Sequence, residues 1–307
     1  MHRKTFLRLA LAALVTAAAP ACREPDPALN ETLSTLPPVA AGGSLVYAER
    51  STATAYVLDL ASDETRVRTV PIGLDPVIAT ARAFTGTAAR SEVLVLSRGS
   101  RGEPGVAPTP GSLTAIPVGT SPVAPRVYDI GSPFNALSQT PDGRFAVAYY
   151  RPGDTQGRLL YNPNEVAIVD LDAAPSARNP LKRTVRSFGG VPNDVVFSPE
   201  MMVNGRARTL AVVLSDAYVT LIDLTHAGRS EITVRLTLPE DARAIRPSQV
   251  LFDTEAPALY VRADASDDIY VLRLNPVTAA APTDNDFRPT INQLAAGRGP
   301  SDMALIG

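Results

Sequence analysis

Five residues recur at one offset from a repeated proline. Prolines 76, 133, 192, 247 and 300 stand 53–59 residues apart, and the residue two positions after each is Ile78, Asn135, Asp194, Gln249 or Asp302. Asn135, Asp194, Gln249 and Asp302 carry side-chain oxygens, and two of these are carboxylates. If a repeating fold brings such positions together at one mouth, the set suits a hard cation such as Ca²⁺, or the polar groups of a ligand. Asn and Asp at the start of a strand also bond their own backbone in turns. Both readings stand at this point.

Other chemistry is thinly supplied. The chain has two histidines, His2 in the leader and His226 in a turn at 225–228, so a multi-histidine metal centre or a histidine-based triad has little to draw on. His226 is expected to be solvent-exposed and idle. Cys22 is the one cysteine, which removes disulfides and thiol nucleophiles from the rest of the chain. There is no G-x-S-x-G elbow, and Gly42-Gly43 and Gly189-Gly190 do not form a phosphate loop. The acidic clusters at 264–268 (DASDD) and 284–286 (DND) lack the spacing of an EF-hand and read as solvated turn tips. Catalysis by this chain is therefore not expected.

The N-terminus has the layout of an export signal. Arg3, Lys4 and Arg8 precede a short apolar run over 9–19, and Ala19-Pro20-Ala21-Cys22 follows. The run is too short to span a bilayer comfortably. It resembles a bacterial lipoprotein signal, which implies lipidation of Cys22, a signal over 1–21 and membrane attachment through the acyl chains. Arg23 follows the cysteine where an Asp would be the retention signal, so the resemblance points to the outer membrane. Residues 22–43 comprise the lipidated cysteine and a Pro/Ala-rich tether. Removing the leader takes the net charge from −2 to about −5, too mild for a nucleic-acid partner.

These side chains must be positioned by strands. Residues 189–238 read as four short strands, at 194–198, 208–214, 218–224 and 231–238, each rich in Val, Leu, Ile or Thr and bounded by turn residues. The pattern recurs, with third strands starting near Val57, Leu113, Val166, Val219 and Ile269. A four-stranded unit of this period cannot bury its faces until neighbours stack on it, which is the signature of a β-propeller blade. The fold expected over 44–307 is all-β, a propeller of about five four-stranded antiparallel blades. The first visible blade is expected to lack its first strand, and 301–307 reads as a first strand with nothing after it. That arrangement fits either a closed five-bladed ring or a fragment of a seven-bladed one.

Thr140-Pro141-Asp142-Gly143-Arg144 and the run from Pro192 to Pro199 resemble the V-x-F-S-P-D-G segment of YVTN-type propeller repeats. Val166-Ala167-Ile168-Val169-Asp170-Leu171 and Val219-Thr220-Leu221-Ile222-Asp223-Leu224 resemble the V-x-V-I-D-L third strand of that family. The second strand departs from it, with Val212-Val213-Leu214-Ser215 where the family has Tyr-Val-x-Asn. The resemblance covers about 44–307 and implies an architecture of the lactonase-like and quinoprotein-like propellers that serves many functions. The function expected is that of a lipid-anchored cell-envelope module binding or scaffolding a protein or envelope polymer. A metal-dependent hydrolytic propeller and a purely structural envelope protein are the alternatives.

Overall fold

The computed structural model describes residues 34–60, 66–83, 91–100, 102, 107–119, 123–151, 153, 162–185, 191–237, 245–281 and 283–305. The leader, Cys22 and residues 189–190 lie outside them. Residues Thr35–Gly307 form one compact unit. Among the described residues every regular element is a β-strand.

The strands form five four-stranded antiparallel sheets. Blade 1 holds β1 (Val39–Ala41), β2 (Ser44–Glu49), β3 (Thr54–Asp59) and β4 (Arg66–Pro71). Blade 2 holds β5 (Pro76–Ala81), β6 (Glu92–Ser97), β7 (Gly111–Pro117) and β8 (Arg126–Gly131). Blade 3 holds β9 (Ala136–Gln139), β10 (Phe145–Tyr149), β11 (Glu165–Asp170) and β12 (Leu181–Thr184). Blade 4 starts with β13 (Pro192–Phe197), then inserts a separate hairpin, β14 (Met201–Val203) and β15 (Arg206–Arg208), before β16 (Leu210–Ser215), β17 (Tyr218–Asp223) and β18 (Ile232–Arg235). Blade 5 holds β19 (Arg246–Asp253), β20 (Ala258–Asp264), β21 (Asp268–Pro276) and β22 (Phe287–Ala295). Each sheet is a meander in chain order, the blade topology of a propeller.

The alternation of strand side chains makes the blades stack. Val93 and Val95 of β6 point into a cluster shared with blade 1, while Leu94 and Leu96 point into one shared with blade 3. Ala146 and Ala148 of β10 face blade 2, and Phe145, Val147 and Tyr149 face blade 4. Ala211 and Val213 of β16 face blade 3, and Val212 and Leu214 face blade 5. Middle strands covered on both faces read as continuous apolar runs. Each of the four clusters joins two successive sheets, so each of the four boundaries between consecutive blades has a core.

Three local features differ from the sequence expectations. The first-strand place of blade 1 is filled by β1, which pairs with β2 from Val39↔Val46 to Ala41↔Ser44, and Leu36 is buried beside it. Residues expected to belong to the tether therefore form part of the domain, which starts before Ser44. Residues 301–305 are in no strand. They lie along blade 5, where the Met303 N–H donates to Gln249 Oε1 at 3.1 Å. The β14–β15 hairpin turns at Asn204-Gly205, both at positive φ, the backbone that a two-residue type I′ turn requires. Met201 and Val203 bury against the cluster between blades 4 and 5, and the Asn204 amide donates to the Asp286 carbonyl at 3.0 Å. The hairpin thus clamps blade 4 to blade 5.

Candidate functional site

The recurring prolines share one backbone device. In blades 2, 4 and 5 the pairing of the first two strands shifts register between Pro76 and Ile78, Pro192 and Asp194, and Pro247 and Gln249. A bulge at the first residues of a strand leaves no ladder bond for the missing proline N–H to make, and it re-aims the residue that follows. The same end of each blade carries the turn between its second and third strands and the crossing into the next blade. This end is called the proline face here.

The structure sorts the four oxygen-bearing positions into two groups. Asn135 forms a two-bond bridge with Arg151, its amide donating to the Arg151 carbonyl at 3.0 Å and its Oδ1 accepting the Arg151 N–H at 2.7 Å. Arg151 then crosses to blade 4, where Nη2 lies 3.0 Å from Asp194 Oδ1. The same oxygen accepts the Tyr149 hydroxyl at 3.0 Å and the Val195 N–H at 3.0 Å. Burial pushes the Tyr149 hydroxyl above its usual range, and the neighbouring Asp194 charge adds to this. In the second group Gln249 Nε2 donates to Asp302 Oδ1 at 2.6 Å, and the Met303 N–H donates to the same oxygen at 2.8 Å. These bonds hold the exposed Asp302 carboxyl below its usual range. Arg262 links this group to Asp264 at 3.0 Å and to the Pro300 carbonyl at 3.2 Å. Ile78 brings no oxygen.

A third stitch joins blades 4 and 5. Asp216, in the turn between β16 and β17, accepts from Asn193 at 2.9 Å and from Arg246 at 3.3 Å. Across the proline face, then, Asp194 at the start of blade 4 is held by Tyr149 and Arg151 of blade 3, and Arg246 at the start of blade 5 by Asp216 of blade 4. Among the described residues no three His, Cys, Asp or Glu side chains come together as a metal-holding group. Arg151, Asp216, Arg246 and Arg262 were not singled out by sequence reasoning. The signal for Arg151, Asp216 and Arg262 was position, near or just beyond the end of a second strand, whereas Arg246 opens β19 beside Pro247.

The opposite face carries two buried charge networks. Arg82, 8% exposed, donates to Glu92 at 2.6 Å, Asp172 at 2.5 Å and the Gly143 carbonyl at 2.7 Å. Arg126 also binds Glu92, at 2.7 Å, and donates to the Leu171 carbonyl. These contacts fasten blade 2 to blade 3. Between blades 4 and 5, Arg208 is fully buried and pairs with Asp223 and, at 2.5 Å, with Asp286. The expectation that the 284–286 cluster is a solvated tip is corrected at Asp286, which is 6% exposed and lies within this network. His226 is not idle either, since its Nδ1 is 3.1 Å from Asp223 Oδ2. Asp223, the acid of the third-strand motif, also accepts the His226 N–H at 3.1 Å and so caps the turn that follows β17.

No protein-family model matches the chain, and no curated protein matches it. Solved structures do match. The β-propeller domain of Cps50 (Swd1) from Myceliophteria thermophila is 13% identical, with 78% of this chain and 70% of that one covered and a TM-score of 0.35. The dihydro-heme d1 dehydrogenase NirN in complex with DHE is 11% identical, with 88% of this chain and 58% of that one covered and a TM-score of 0.38. YCF48 bound to D1 peptide is 9% identical, with 80% and 71% covered and a TM-score of 0.38. The fold assignment rests on the sheet order and the four clusters between sheets.

Proposed function

We propose that the chain is a lipid-anchored cell-envelope β-propeller that binds a protein or an envelope polymer through its proline face and performs no catalysis of its own. The supporting observation is the way that face is built. Arg151–Asp194 and Asp216–Arg246 are held across boundaries between successive blades, and Gln249–Asp302 ties the residues after blade 5 to that blade, so a row of charged and amide groups is presented at the surface in fixed positions. Groups ordered before a partner arrives lose less freedom when it binds. Lipidation of Cys22 and the residues after it would carry this face from the outer membrane.

The test has two parts. Mass spectrometry of the membrane fraction should find the mature N-terminus at Cys22 with acyl chains, and Cys22→Ser should release the protein from membranes. Affinity capture from solubilised envelope should then recover a partner with the native protein. Its yield should fall with Arg151→Ala/Arg246→Ala and stay unchanged with Arg144→Ala on the opposite face. Equal recovery by both variants, or hydrolytic activity in the purified protein, would overturn the reading.

A further inference from the structure

Blade 5 ends in an outer strand unlike the other four. β21 and β22 pair over nine residues, from Asp268↔Ala295 to Pro276↔Phe287, whereas β18, the outer strand of blade 4, has four. Blade 4 is too short to cover the whole of β22. Residues 290–299 are all exposed, including Ile291 at 36% and Leu294 at 51%, whose side chains leave opposite faces of the strand.

The sheet also stops at β22, with no described strand on its far side. The Val277 N–H donates to the Asp286 carbonyl at one end of the ladder, and the Ala296 N–H to the Asp267 carbonyl at the other. Bonded residues alternate in an antiparallel pair, so the even-numbered residues of β22 bond to β21, and Ile291, Gln293 and Ala295 turn their N–H and C=O groups outward. An open edge is a template for another strand, and proteins usually blunt it with charge or proline. The other outer strands do so, with Arg66, Arg68 and Pro71 in β4, Arg126 and Asp129 in β8, Lys182 and Arg183 in β12 and Arg235 in β18. Residues 290–295, Thr-Ile-Asn-Gln-Leu-Ala, carry neither device.

We infer that this edge receives an extended, acidic segment of a partner protein as a fifth strand of blade 5. Main-chain bonds supply affinity in such pairing, and alternate side chains supply selectivity. Leu294 and Ile291 offer apolar contact on the two faces. The charge of the guest follows from its surroundings. Arg273 and Arg288 are exposed on one face of the sheet, at the registers Arg273↔Thr290 and Asn275↔Arg288, and no acid occurs between Phe287 and Asp302. Cations without an acid on the same strand favour a carboxylate-bearing partner. A second copy pairing through its own β22 would bring the same arginines and no carboxylate. This rim serves independently of the side-chain row on the proline face.

The test measures fluorescence anisotropy of a labelled peptide, about six alternating Val and Thr residues, the usual strand length, with a Glu at each end. It is titrated with the full-length protein in detergent. Saturable binding is expected, together with slowed hydrogen exchange at the Ile291, Gln293 and Ala295 amides. Gln293→Pro removes one outward donor, leaves the bonds to β21 in place and should weaken binding about tenfold. Leu294→Lys gives β22 the charge that the other outer strands carry and should also weaken it, with the backbone untouched. Arg144→Ala should leave binding unchanged. A peptide with Gln in place of Glu should bind about threefold more weakly. Absence of saturable binding, binding indifferent to both Gln293→Pro and Leu294→Lys, or equal binding of the Gln peptide would overturn the assignment. So would slowed exchange at those amides that grows with protein concentration and needs no peptide, the mark of a second copy at the edge.

Discussion

Arg208 and Asp286 meet across the boundary between blades 4 and 5, with Arg208 Nη2 at 2.5 and 2.7 Å from the two oxygens of the carboxylate. Arg229 reaches the same carboxylate at 2.8 Å, and Arg206 at 3.3 Å. Burial alone would push the Asp286 carboxyl up. The Arg208 charge and the Arg229 bond outweigh it and hold the carboxyl below its ordinary 3.8. Removing the acid leaves Nη2 of the buried guanidinium without its partner while Asp223 still compensates the charge, so Asp286→Ala should cost about 1–3 kcal/mol. Because the folded value is the lower one, the contribution is present above pH 3.8 and disappears as pH falls through the folded value. Urea unfolding at neutral pH measures the first effect. The same titration toward low pH should show a shallower acid loss for Asp286→Asn than for the native chain.

Glu49 makes the same argument in blade 1 with neutral partners. It is fully buried at the turn from β2 to β3. Its carboxylate accepts the Thr52 hydroxyl at 2.6 Å, the Thr52 N–H at 2.5 Å and the Ser51 hydroxyl at 2.8 Å. Burial opposes the charge, yet these bonds take the carboxyl from 4.5 down to about 2. The stabilisation is complete above pH 4.5 and is lost as pH falls toward 2. Thr52→Val should raise the Glu49 value, measurable by carboxyl NMR titration, and move acid unfolding to higher pH.

Gly143 of the Thr-Pro-Asp-Gly turn shows why that motif needs its glycine. Its φ is +67°, and a Cβ there would sit 1.6 Å from the Ala83 carbonyl oxygen in blade 2. Its own carbonyl receives Arg82 Nε at 2.7 Å. Neither the backbone nor the neighbour can yield cheaply, because Gln139 fixes Ala81 and Ala83 with bonds of 2.7 and 2.9 Å. Gly143→Ala should destabilise by about 2 kcal/mol or more, of which left-handed strain supplies about 1. Gly205→Ala in the exposed hairpin turn, where no atom lies within 4 Å, isolates the strain from the clash. Thermal unfolding of the two variants separates the contributions.

The sequence made the blades readable because strand side chains alternate with period two, and their turns fall at a fixed spacing. The prolines were more informative than their spacing suggested, since in β5, β13 and β19 they mark a bulge. The Asn204-Gly205 hairpin carried its own signal, an Asn-Gly pair between short apolar and basic runs, yet it falls in the connection expected between the first and second strands of blade 4. What stayed hidden is the contact between blades. Arg82 finds Asp172 ninety residues on, and Arg208 finds Asp286 seventy-eight residues on. Such pairs depend on how one sheet is rotated against the next, which no local pattern encodes. His226 illustrates the same limit, because only the fold brings its ring against the Asp223 carboxylate that is already shared with Arg208.

The last prediction concerns Asp194 and Asp302, the carboxylates that suggested a cation. In the structure each is taken up by protein donors, Asp194 by Tyr149 and Arg151 and Asp302 by Gln249 and the Met303 N–H. Those donors all fall on one oxygen of each carboxylate, Oδ1, and Arg151 beside Asp194 opposes a cation there. A bridging role between repeats predicts a different response from a metal site. Asp194→Ala should cost less than about 1 kcal/mol, since both partners of its ion pair are about half exposed. Ca²⁺ should leave the melting temperature of the native chain unchanged, and Arg151→Ala should mimic Asp194→Ala without adding to it in the double variant. A rise in melting temperature with Ca²⁺ that vanishes in the Asp194→Ala/Asp302→Ala protein would instead establish a cation site at the proline face.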